Sequence, residues 1–155
     1  MKVIHWIIAA AALACAGPVQ AGINDPEVLI YRFPGVKDGG GAPFAGVATV
    51  FHCTNFSGAT ENIRFVTRKT DGLLLQNNTI PMTHLGSATA TTHQTVAYFE
   101  QLNLLSGFVS QGTTAIAATS INIICTAMTI NGSTEAPVGV ALRGIRFSPV
   151  PGSQE

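Results

Sequence analysis

From residue 27 onward the chain alternates short apolar runs with clusters of Gly, Pro, Asn and Asp, the rhythm of strands and turns. Residues 27–33 (EVLIYRF) form an apolar run between Pro26 and Pro34, and the glycines at 39–41 predict a loop over Gly35–Pro43. Over Ala45–Thr54, Val47, Thr49, Phe51 and Cys53 fall on one face, with Ala48, Val50 and His52 on the other. In Asn62–Lys69, Ile63, Phe65 and Thr67 alternate with Arg64, Val66 and Arg68, which turns the basic side outward. Thr70-Asp71-Gly72 leads into Leu73–Ile80. Asp-Gly readily supplies the positive φ of a tight turn, so these two runs are expected to form a hairpin, closed by Pro81.

The second half is less regular. His84–His93 is Thr-rich with weak period; Gln94–Gln101 (QTVAYFEQ) reads as a strand and Leu102–Gln111 as a helical turn or loop. Thr113–Ile130 is the longest ordered stretch, rich in β-branched residues and apolar on both faces in its second half, as in a central strand. Asn131-Gly132 marks a tight turn before a strand over Val138–Phe147, and Ser148–Glu155 reads as a loose tail. Seven to eight strands with turns at strand spacing predict an all-β fold. The expected architecture is an antiparallel β-sandwich, immunoglobulin-like or Greek-key, in one domain over residues 22–155.

The first residues follow different rules. Lys2 precedes an apolar run from Val3 to Ala16, broken only by His5; Gly17-Pro18 ends it, and Val19-Gln20-Ala21 puts small residues where a signal peptidase cuts. The run is shorter than the roughly 20 residues needed to span a membrane. Residues 1–21 are therefore expected to be a secretory signal peptide, cut after Ala21 or alternatively after Ala16. Ala12, rather than Leu, stands three residues before Cys15, so Cys15 reads as part of the apolar core and not as a lipidation site. Export to a periplasmic or extracellular space leaves Cys53 and Cys125, an even number in an oxidising compartment, and predicts one disulfide between strands. Their 72-residue separation resembles that of the inter-sheet disulfide of immunoglobulin-like domains. The only tryptophan is Trp6, within the signal, so the Trp that packs on that disulfide in antibody-type domains has no counterpart in the mature chain.

Charge narrows the partners. Lys plus Arg and Asp plus Glu number eight each, and losing Lys2 leaves a slight acidic excess. Such a surface exerts no pull on nucleic acid or anionic lipid. Only 10% of residues are charged, against about 25% in ordinary soluble domains, so Thr, Ser, Asn and Gln must supply the polar exterior. A protein or a surface glycan is the expected kind of partner, with a homo-oligomer as a further option.

Candidate chemistry is thin. Zinc needs three or four converging ligands; His84 and His93 lie nine apart with no Asp, Glu or Cys between them, and His52 faces away from its neighbouring cysteine. No metal or other cofactor is predicted. Serine never occurs in G-x-S-x-G, and the acids stand singly at Asp25, Glu27, Asp38, Glu61, Asp71, Glu100 and Glu135. No catalytic residue is assigned, and an enzyme, as a small hydrolase, ranks last. The glycine run could form an anion-binding nest, without the Lys of a phosphate loop. Candidate contacts are therefore Asp38, Gly39, Gly40, His84 and His93, in the loops Gly35–Pro43 and Pro81–His93, together with the basic pair Arg64 and Arg68. N-x-S/T sequons at Asn55, Asn77 and Asn131 matter only in a eukaryotic secretory path. The leading expectation is an exported, non-enzymatic binding or structural module; a self-assembling, pilin-like surface subunit is second.

Overall fold

A computed structural model describes residues 26–147. The expected signal peptide over residues 1–21, Cys15, Asp25 and the tail 148–155 lie outside the described residues. Ten strands run in chain order: β1 (Val28–Asp38), β2 (Val47–Asn55), β3 (Glu61–Lys69), β4 (Leu74–Met82), β5 (Ser87–Thr91), β6 (Leu102–Asn103), β7 (Val109–Ala118), β8 (Ile123–Asn131), β9 (Gly139–Leu142) and β10 (Ile145–Arg146). They form two five-stranded sheets, ordered β10-β1-β7-β3-β4 and β6-β5-β2-β8-β9, antiparallel except for β5 with β6. This is the predicted sandwich, with more strands than expected because short pieces such as β6 and β10 count separately.

Period-2 alternation builds the core. Phe33 of β1, Phe51 of β2 and Phe65 of β3 alternate between the sheets and touch in sequence, Phe33 to Phe51 at 5.7 Å and Phe51 to Phe65 at 5.9 Å between ring centroids. Ile30, Ile63, Ile116, Ile123 and Leu104 close around them. The β3–β4 hairpin forms as predicted, with Gly72 at φ +84° and its N–H donated to the Lys69 carbonyl. Arg64 and Arg68 point to the outer face, while Ile63, Phe65 and Thr67 are buried.

Cys53 and Cys125 are bonded and both buried in the core. They face each other across β2 and β8, neighbouring strands of one sheet, so the bond does not join the two sheets as in the immunoglobulin arrangement.

Several segments depart from the sequence reading. β1 does not stop at Pro34 but runs on to Asp38 through two bulges, so the expected loop over Gly35–Pro43 starts only at Gly39. Pro81 does not close β4, which reaches Met82, and the expected loop Pro81–His93 contains β5, paired with β2. Thr113–Ile130 is not one strand: β7 and β8 lie inside different sheets, and the chain turns between them, with the Asn122 N–H capped by Ser120 Oγ. Val138–Phe147 likewise splits into β9 and β10, one in each sheet, at Gly144. A Cβ on Gly144 would lie 2.4 Å from the Phe33 ring, so only glycine lets the chain cross there. Residues 94–101 form no strand. The Glu100 carboxylate takes the Thr95 N–H and hydroxyl, folding the segment on itself, and Tyr98 packs against His52 and donates to Met128 Sδ. This loop covers the outer face of the second sheet, which is why Ala48 and Val50 are buried although they point away from the central core. Among the described residues no helix is long and apolar enough to cross a membrane.

Candidate functional site

Strand directions sort the connections onto two ends. Asp38 pairs with Val109, Val47 with Asn131 and Gly139 with Ile130, so the 39–46, 70–73 and 132–138 segments gather at one end, with residues 92–93 and 104–108. The 56–60, 83–86 and 119–122 turns gather at the other. The two loops predicted to hold a ligand are therefore not one surface. His84 belongs to the far end, where its Nδ1 accepts the Gly58 N–H at 3.0 Å.

Asp38 and His93 do come together. Asp38, 1% exposed, accepts three hydrogen bonds: from the Gly40 N–H on Oδ1 at 2.7 Å, from His93 Nδ1 on the same oxygen at 2.9 Å, and from Ser106 Oγ on Oδ2 at 3.1 Å. Ser106 also lies 3.1 Å from the Thr92 carbonyl. One carboxylate thus ties the end of β1 to the start of the 92–101 loop and to the loop before β7. Ser106 and Thr92 carry no local signal of this role; the topology brings Ser106 to Asp38 across 68 residues.

The arrangement is not that of a Ser-His-Asp hydrolase. There the imidazole lies between carboxylate and hydroxyl, and its second nitrogen takes the serine proton. Here the hydroxyl meets the carboxylate directly. His93 Nε2 is buried without a partner, beside Gly132, where an added Cβ would lie 3.3 Å from it. Four of the other acids have other occupations: Glu27 pairs with Arg64, Glu61 accepts from Thr119, Glu100 holds Thr95 and Asp71 caps Leu73. Among the described residues no three His, Cys, Asp or Glu side chains converge on a point that could hold a metal ion.

The glycine loop is also spent internally. The Gly39 N–H bonds the Val47 carbonyl at 2.7 Å, and that of Gly40 bonds Asp38, so two of the three donors of an anion nest are already engaged within the protein. Arg64 and Arg68 lie on the outer sheet face; Arg64 pairs with Glu27 and reaches Asn77, whereas Arg68 bonds the Gly72 carbonyl at 2.9 Å, in the turn at this end. Of the sequons, Asn55 is buried with its amide nitrogen donating to Ala59 and Met82, which removes it as an acceptor of glycan.

Beside Asp38 a cleft of about 260 Å³ opens between Lys37, Gly39, Val47, Phe108 and Ser110. A second, about 330 Å³, lies at the edge of the sandwich between Ile80–Thr83 and Gly86–Ala88. Enclosed small-molecule sites start at about 300 Å³; both clefts are small and partly open. The end that carries the first is rimmed by exposed apolar side chains: Phe44 (50% exposed), Leu73, Leu105 (70%) and Phe108 (66%). Phe44 and Leu105 hold their backbones at φ +63° and +51°, a region that costs a bulky residue strain. On the outer face of the second sheet, burial pulls the His52 pKa below its ordinary value.

Comparison with protein-family models, with curated proteins and with solved structures finds no match.

Proposed function

We propose that this chain is an exported, non-enzymatic β-sandwich that works by surface contact, and that the loop end carrying Phe44, Leu105 and Phe108 is its contact surface. One observation carries the reading. Two of the large apolar residues at this end, against one, Leu85, at the other, are exposed to water and sit in left-handed backbone, where Asn or Gly would be easier. Neither burial nor local geometry selects Phe44 or Leu105, so folding alone gives no reason for them. A partner that buries them does. The small, partly open cleft suits contact with a protein or a surface glycan better than enclosure of a substrate. The buried disulfide and the signal-like first 21 residues support a periplasmic or extracellular place of work.

The test exploits Leu85, which is also exposed and left-handed (φ +59°) but sits at the opposite end. Phe44→Asn, Leu105→Asn and Leu85→Asn should each relieve strain and stabilise the domain by about 1 kcal/mol. Glycan arrays and captures from the cell envelope are then compared across the three. Binding lost in Phe44→Asn and Leu105→Asn but kept in Leu85→Asn supports the loop end; equal binding by all three refutes it.

A second reading, a self-assembling surface subunit, is favoured by β4. It is an edge strand of nine residues that carries no charge.

A further inference from the structure

We infer that two copies of this chain pair edge to edge along β4, joining their five-stranded sheets into one continuous sheet. The inference rests on the assembly reading and not on the loop-end one. The direction of the main chain in β4 follows from its neighbours. The Asn62 N–H donates to Thr119 Oγ1 at 3.1 Å and its carbonyl accepts the Thr119 N–H, so both groups of Asn62 face away from β4. Pro81, opposite Asn62, therefore turns its backbone to the open edge, where its missing N–H costs no ladder bond. By the alternation of antiparallel ladders, Thr79 and Asn77 direct their N–H and C=O groups to the same open edge.

Natural edge strands are blunted by charge, by proline, by shortness or by a covering element; β4 carries one such device, Pro81, at the penultimate position of the strand, which leaves Asn77 and Thr79 to form the seam. The other three sheet edges are short: β6 and β10 have two residues each, and β9 has four. β4 has nine, reading LLQNNTIPM, with Pro81 near one end and neither Lys, Arg, Asp nor Glu. A second copy is the occupant these features fit. An antiparallel pair about a two-fold axis is self-complementary, so each copy brings the acceptors for the other's donors. No like charges meet across the seam. Arg64 and Arg68 of the two β3 strands would stand roughly 14 Å apart, three interstrand spacings, beyond a screening length of about 8 Å in physiological salt. The near-neutral chain adds no long-range repulsion.

The experiment is sedimentation equilibrium by analytical ultracentrifugation of the mature, oxidised protein from micromolar to millimolar concentration, with Thr79→Pro beside the wild type. Because the Thr79 N–H faces outward, proline there removes a seam bond without breaking the β3–β4 ladder. Thr79→Lys, which sets two charges against each other across the seam, stands in if the proline variant loses its near-ultraviolet circular dichroism. A wild-type mass that rises toward the dimer, with both variants monomeric and a Thr79→Cys chain that oxidises to a covalent dimer, is the expected result. Oligomers that Thr79→Pro and Thr79→Lys leave intact overturn pairing through β4 while keeping self-assembly by another surface. A strict monomer at every concentration overturns both, and leaves the edge to an extended segment of a different protein.

Discussion

Replacing Asp38 tests whether the buried carboxylate holds the loop end together. In Asp38→Ala the Gly40 N–H, His93 Nδ1 and the Ser106 hydroxyl lose their shared acceptor. Bonds to a charged group contribute about 1.5–3 kcal/mol each, but three bonds on one carboxylate are not additive and Ser106 keeps the Thr92 carbonyl. A loss of about 4 kcal/mol is expected, a large share of a domain stability of roughly 5–15 kcal/mol. Asp38→Asn should behave differently. Its remaining oxygen still serves Gly40 and His93, while its NH₂ can donate to Ser106 Oγ, whose single hydrogen is then free to turn to the Thr92 carbonyl. That variant should cost about 1 kcal/mol. Urea unfolding of the mature, oxidised proteins, with slopes compared to confirm an unchanged transition, reads both values. An alanine variant within 1 kcal/mol of wild type would refute the clasp. An asparagine variant as damaged as the alanine one would show that the negative charge, not the acceptor geometry, holds these loops.

Gly144→Ala should destabilise by about 1–3 kcal/mol, because the new methyl meets the Phe33 ring; a change below 0.5 kcal/mol by urea melt would mean that Phe33 moves aside freely. Cys53→Ala with Cys125→Ala opens a loop of 72 residues in the unfolded chain, for an expected loss of about 4 kcal/mol by chain entropy, measured against the oxidised wild type. His52 is held neutral by burial, so the unfolded chain takes up its proton first as pH falls below 6.5. Stability should therefore drop as pH falls from 6.5 toward the lower folded value, and more steeply in wild type than in His52→Gln; parallel curves would contradict the assignment.

Much of the sandwich is legible in the residues because β2 and β3 obey period 2 and β1 and β4 are marked by apolar runs, although β1 runs on past Pro34 and β4 past Pro81. Asp71-Gly72 announces the β3–β4 turn, and the alternation around Phe51 and Phe65 names the core. The later half hides its breaks. Thr, Ala, Ser and Asn follow one another through 113–130 without Gly or Pro, so the crossing at Ser120 leaves no mark in the pattern. Gly144 is visible, but its reason is the Phe33 ring, more than a hundred residues away. Residues 94–101 have strand-like composition, and the Thr95–Glu100 bonds win over a ladder. Asp38 and His93 stand out as candidates from their loops alone, whereas their meeting, and Ser106 with them, depends on how the sheets stack. That two exposed residues, Phe44 and Leu105, hold positive φ is a property of backbone that no side-chain pattern announces.

The loop-end account is tested most directly by photo-cross-linking in the cells that make the protein. A benzophenone amino acid replaces Phe108 in one strain and Phe56, exposed at the opposite end, in another. The account predicts a discrete adduct from position 108 on irradiation and none from position 56. Adducts from position 56 alone, or none from position 108 while the protein is exported and folded, would contradict it.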